Sequence, residues 1–163
     1  PAAGAAAPAG TPGPHGVKMD CRESVRVATL YLPVDTDGAL LAIGDLHAFR
    51  GDGEVSVGAI EVPGRVEVRV DVVKDPRLPL PFLVNDARVM TIFSAADTDA
   101  AGAGATAAMH DFVRDRLGIE SAEALMLLSA AADLRICQVV DPLKTCRMEL
   151  PLSIAARYGY VPD

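Results

Sequence analysis

The clearest pattern in the chain is a strict alternation in "GRVEVRVDVV", residues 64–73. Val66, Val68, Val70 and Val72 fall on one side, and Glu67, Arg69 and Asp71 on the other. A period of two predicts a half-buried strand, best accommodated in an antiparallel sheet with its charged side in water. Further β-rich runs read as strands: "SVRVATLYLPV" (24–34), "ALLAIG" (39–44, short and buried), "EVSVGAIEV" (54–62, with Gly58 a candidate bulge) and "ARVMTIF" (87–93). "DTDG" (35–38) is a turn signal, and three prolines make "DPRLPLPF" (75–82) a connection.

The period then changes. Met109, Phe112, Val113 and Leu117 form the apolar stripe of a helix over residues 97–117, and Gly118 sits where a helix stop belongs. The glycines of its first half weaken its intrinsic preference. A second helix, capped by Ser121 and favoured by Glu123 in its first turn, continues through "AEALMLLSAAADL". That segment is apolar nearly all round and so is expected to be buried. "RICQVVD" and "TCRMELP" close the chain as two strands around a turn containing Pro142. Strands, two helices and strands again predict an α+β fold with a β-rich, mixed or antiparallel sheet core.

Composition narrows the class. A length of 163 residues, half of them apolar, suits one domain with a real core, which aliphatic side chains must fill because aromatics are only 4%. The net charge of −7 disfavours a phosphate backbone as partner, so nucleic acid is excluded as an expectation. No apolar run is long enough to span a membrane. Cys21, Cys137 and Cys146 are too few and too irregular for a disulfide framework and read as free thiols in the cytoplasm. The chain opens at Pro1 without Met, on an Ala/Pro/Gly-rich stretch that reads as a linker over residues 1–14, with the folded domain at 15–163. A linker joins two things, so a fragment lacking an upstream part is expected.

Candidate chemistry is concentrated in "GDLHAFRGDGE", residues 44–54. Asp45 and His47 are two apart, as are Asp52 and Glu54, so each pair projects to one side of extended backbone. Gly51 and Gly53 allow the chain between them to fold back. One imidazole with up to three carboxylates suits zinc or another borderline divalent ion, and suits calcium less well. The plain alternative is a turn with a solvated acidic tip. Glu61 joins the cluster if Gly58 bulges; otherwise it shares a face with Val55, Val57 and Ala59 as a partly buried acid fit to carry protons.

"GPHGVKMDC", "TLYLPV", "GALLAIGDLHAFRGDGEVSVGAIEVP" and "AADLRICQVVDPLKTCRMELP" resemble, in order, the C-terminal half of the acetamidase/formamidase family, over about residues 13–151. The resemblance implies a larger amidohydrolase that cleaves small linear amides to ammonia and a carboxylate. It places Asp20, Asp45 and His47 near a divalent metal, zinc by donor type, with Glu54 or Glu61 as the base and Asp52 beside them in the catalytic set. The expected partners are a small amide, further copies of the chain and a missing N-terminal half of the same protein. The chain departs from the family pattern where Val17-Lys18 replaces Gly-Asn and Arg50 replaces Gln. Both side chains either point to solvent or alter specificity or activity, since a cation donates hydrogen bonds but cannot accept them. The rival readings are an inactive remnant and a binding or assembly module using a bare sheet edge. Asp133 and Arg135 are expected to pair at a helix end, and His110 to be a surface or packing residue.

Overall fold

The computed structural model describes residues 4–6, 8–74 and 77–162. The expected linker and the 75–82 connection therefore lie partly outside the described residues. Among the described residues there are seven strands: β1 (Thr29–Tyr31), β2 (His47–Phe49), β3 (Ile60–Glu61), β4 (Phe82–Val84), β5 (Arg88–Ala95), β6 (Asp133–Gln138) and β7 (Lys144–Pro151). They form a five-stranded antiparallel sheet in the order β1-β4-β5-β7-β6 and a separate β2-β3 pair. Helices α1 (Thr98–Leu117) and α2 (Ser121–Ala131) lie between β5 and β6, and a short α3 (Leu152–Arg157) follows β7. The α+β expectation holds.

The central strands of the sheet are buried on both faces, and the pleat sorts their side chains. Phe82, Val84, Val89, Cys146, Met148 and Leu150 meet α1 through Ala105, Met109, Phe112 and Val113. Each fully buried aliphatic or aromatic side chain of this kind contributes roughly 1.5–3 kcal/mol. Their neighbours Leu83, Met90 and Ile92 point to the opposite face, where they join Met19, Cys21 and Cys137. On β7 the same face carries Thr145, Arg147 and Glu149, all buried. The helices cover one side of the sheet; the polar cluster occupies the other.

The first helix forms as its stripe predicts. Asp97 caps it, accepting from the Ala100 amide at 2.8 Å, and Gly118 ends it with φ 70°. The glycines of its first half have a packing reason: a Cβ on Gly104 would run into the Phe93 ring. The second helix corrects two expectations. Ser121 is its first residue rather than its cap, and its hydroxyl meets His110 Nε2 at 3.0 Å instead. Only Ala124 and Leu128 are buried in α2, while Leu125 and Met126 are exposed, because just one side of the helix meets the core. Asp133 and Arg135 do pair, at 3.5 Å, but along β6 rather than at a helix end.

The larger correction concerns residues 24–73. Of the four strands expected there, 24–34 supplies only β1 and 54–62 only the two residues of β3, while β2 forms within the 44–54 motif, where no strand was expected. Leu40, Leu41 and Ile43 are exposed, and residues 64–73 belong to no strand. Val66, Val68, Val70 and Val72 are 47–68% exposed. The alternation is correctly patterned, but a strand needs a neighbour to pair with and a surface to cover, and this one meets neither among the described residues.

Candidate metal centre

The β2-β3 ladder sets His47 directly opposite Glu61. Across it, His47 Nε2 lies 2.7 Å from Glu61 Oε1. The same nitrogen lies 3.6 Å from Asp45 Oδ1 and 3.9 Å from Glu54 Oε1. One imidazole edge therefore faces three carboxylates. The ligand atoms of Asp45, His47 and Glu61 all fall within 4.8 Å of one another. Glu54 and His47 are enclosed, whereas Asp45 and Glu61 stay open to solvent on one side. Glu61 thus joins the cluster with its carboxylate on His47 and is not a buried acid. Residues 54–57 make a tight turn, the Val57 amide donating to the Glu54 carbonyl at 3.0 Å.

Asp20, Asp45 and Glu54 hold positive φ of 47°, 66° and 44°, in the left-handed region that costs a non-glycine residue energy. Val27, Ala39, Leu40 and Arg77 do so as well, so this strain is not confined to the cluster.

Asp20 sits beside this group rather than in it. Its carboxyl lies close to those of Asp141 and Asp45. Burial, and then the neighbouring Asp141 carboxyl, push Asp20 up to about 7. Two facing carboxylates have only acceptors between them until one takes a proton, which is why Asp20 Oδ2 and Asp141 Oδ2 are both buried without a hydrogen-bond donor. Asp45 moves the other way. Burial alone would raise it, but the hydrogen bond and charge of Lys18, at 3.3 Å, hold it below the usual carboxylate range.

Both departures from the family pattern act here. Arg50 is buried, so the solvent-pointing account fails for it: its Nη2 lies 3.0 Å from Glu54 Oε2 and donates to the Cys137 carbonyl at 3.1 Å. Lys18 covers Asp45. Together the two cations offset part of the negative charge that the carboxylates collect.

Asp52 faces away from the imidazole. Its two oxygens accept from Nη1 and Nη2 of Arg147, each at 2.8 Å. Beside it Gly53, with φ 92°, docks on β6: its amide donates to the Cys137 carbonyl at 3.0 Å, and its carbonyl accepts from the Val139 amide at 3.1 Å. Arg147 and Asp141 were not singled out from sequence. For Arg147 a signal existed, since Thr145, Arg147 and Glu149 make a polar stripe alternating with Cys146, Met148 and Leu150. His110 packs through its bond to Ser121, as expected.

The residues present fit a divalent cation. The donors are one nitrogen and carboxylate oxygens, close enough to share an ion, and Asp20 Oδ2 nearby is buried with no hydrogen-bond partner.

Residues 1–157 match the Acetamidase/Formamidase family. The acetamidase of Bacillus halodurans superposes with a TM-score of 0.91 at 47% identity, over 93% of this chain and 52% of that one. A predicted acetamidase/formamidase of Thermoanaerobacter tengcongensis gives 0.89 at 41% identity, over 93% and 50%. An acetamidase of Mycolicibacterium smegmatis is 39% identical over 64 residues, which is 39% of this chain and 16% of the relative. The chain spans about half the length of the two solved relatives.

Proposed function

Because the chain belongs to the acetamidase/formamidase family, we propose that it carries the metal-and-acid cluster of an enzyme that hydrolyses the C–N bond of small linear amides such as formamide or acetamide. The observation that carries this reading is His47 Nε2 facing Glu61, Asp45 and Glu54 at 2.7, 3.6 and 3.9 Å. Asp45, His47 and Glu61 would hold a divalent ion, zinc by donor type, with Asp20 behind Asp45. When bound, such an ion polarises an amide carbonyl and makes a water acidic near neutral pH.

Glu54 is the residue placed to move the proton. It is enclosed, close to His47 without being bonded to it, and its charge is held in place by Arg50. A carboxylate so placed takes a proton from the attacking water and passes it to the departing nitrogen, which leaves as ammonia while the acyl group leaves as a carboxylate. Lys18 and Arg50 donate only, and both are engaged by acids here, so they tune the charge of the site.

A second reading accompanies the first. Val66, Val68, Val70 and Val72 are exposed and unpaired among the described residues, as expected of a surface that pairs with polypeptide equivalent to the part of the solved relatives this chain does not span. Further copies of the chain are the other candidate partner. The buried free thiols Cys21, Cys137 and Cys146 support a reducing, cytoplasmic setting, and no helix among the described residues is long and apolar enough to cross a membrane.

Ammonia release from formamide and acetamide, measured before and after chelation, tests the proposal. Turnover that chelation stops and zinc restores is expected. Zinc binding without turnover would leave the remnant or assembly reading, and turnover indifferent to chelation would remove the metal.

A further inference from the structure

Arg147 lies on the sheet face opposite the helices with its side chain 2% exposed. Its Nε donates to Glu149 Oε1 at 2.6 Å. Nη1 donates to Asp52 Oδ1 at 2.8 Å and to the Ile136 carbonyl at 3.2 Å, and Nη2 donates to Asp52 Oδ2 at 2.8 Å. Glu149 in turn meets Arg88 Nη1 at 2.9 Å, so the guanidinium is braced from β5 and β7 as well as from β6. A planar fork bonded to a carboxylate at both ends fixes orientation as well as distance.

What this fork grips is the loop that carries Glu54. Asp52 is followed by Gly53, whose amide and carbonyl both bond to the β6 end, and then by Glu54 in its left-handed conformation. The connection is continuous from β7 to Asp52, through the Gly53 bridge on β6, to Glu54 beside His47.

We propose that Arg147 and Asp52 are a positioning pair that sets Glu54 against His47, and that Asp52 is the grip of this device rather than a proton acceptor in the reaction. Both Asp52 oxygens are held by the guanidinium at 2.8 Å, whereas Glu54 Oε1 faces His47 Nε2 at 3.9 Å. The inference rests on the metal-amidase reading for what Glu54 does, but the mechanical part stands on geometry alone.

The test uses the full chain with Arg147→Lys, Asp52→Asn and the double substitution. Asp52 is one-third exposed, so Asp52→Asn keeps a folded protein available even if a lysine is poorly accommodated at 147. Amide hydrogen exchange at Gly53 and Val139 is read first, against the β5 amides as internal reference. Faster exchange at those two positions alone is expected in every variant. Turnover of formamide is expected to fall about 10- to 100-fold with zinc content unchanged, as when the residue that supports a site group is lost. The double variant should be no worse than the worse single, since the two residues act as one unit. Unchanged exchange at Gly53 and Val139 in a folded variant would overturn the proposal, and so would a pH–rate profile that loses its acidic limb only in Asp52→Asn. If the wild-type chain binds no zinc, the metal reading falls while the exchange measurement still decides the pair.

Discussion

His47 and Glu61 stand opposite one another across the β2-β3 ladder, and their side chains meet at 2.7 Å. A ladder of so few residues buries little: Phe49 and Ile60 are both exposed, so hydrophobic burial is not what specifies its register. The polar contacts it makes are the more telling feature. The imidazole and carboxylate face each other because strand pairing puts them there, and Asp45 reaches the same point from the irregular segment before β2.

Removing Glu61's charge is therefore expected to separate binding from stability. Its side chain is 57% exposed, and a surface change of this kind shifts stability by about 0.5 kcal/mol or less. As a direct ligand it should matter at least as much as a supporting residue, whose loss costs about 10- to 100-fold in affinity. Glu61→Gln should weaken zinc binding by about 100-fold with the melting temperature nearly unchanged, as isothermal titration beside a thermal melt would show.

Glu54 is expected to behave in the opposite way. Glu54→Gln keeps the shape of the buried side chain and removes its capacity to hold a proton. Steady-state kinetics on formamide should show kcat lowered about 10²- to 10⁴-fold, while zinc content by atomic absorption stays as in the wild type. Loss of zinc together with kcat would instead make Glu54 a ligand.

Asp20 gives the metal-free protein a pH signature. Its pKa rises from 3.8 to about 7 because of burial and the Asp141 carboxyl. A group of raised pKa binds its proton more tightly in the folded state, so stability falls as pH rises through the window from about 4 to about 7 and levels off above it. Asp45, held low by Lys18, acts at the acid side of that window and with the opposite sign. Urea midpoints across the window should decline in the wild type and flatten in Asp20→Asn.

The first helix offers a control remote from the site. Asp97→Ala removes the oxygen that accepts from the Ala100 amide at 2.8 Å, and loss of such a cap costs about 1 kcal/mol. Urea denaturation should show that loss, with zinc affinity untouched.

The parts of the fold legible in the sequence were those whose partners lie within the described chain. Helix α1 announced itself through its apolar stripe and Gly118, β5 through an apolar run and β7 through a strand signal beside the Pro142 turn, and the two strands find each other. The valine alternation at 66–72 was as clear on paper and forms no strand, because alternation records which face is meant for burial and not whether anything covers it. The candidate site was half legible. Asp45 and His47 could be paired from their spacing, and the glycines marked the turn. The Asp52–Arg147 contact spans 95 positions, and no local period can foretell a bond of that separation. The two accounts of Arg50 stayed open in the sequence for the same reason, since the Cys137 carbonyl that holds it lies on β6, far along the chain.

The account depends most on Asp45, His47 and Glu61 acting together on one ion. Titration of the metal-free chain with cobalt, followed by visible absorption, tests this directly for the wild type and for His47→Ala. The expected result is a nitrogen-and-oxygen cobalt spectrum saturating near about one equivalent in the wild type and missing in the variant. Equal spectra from the two proteins, or none from either, would contradict it.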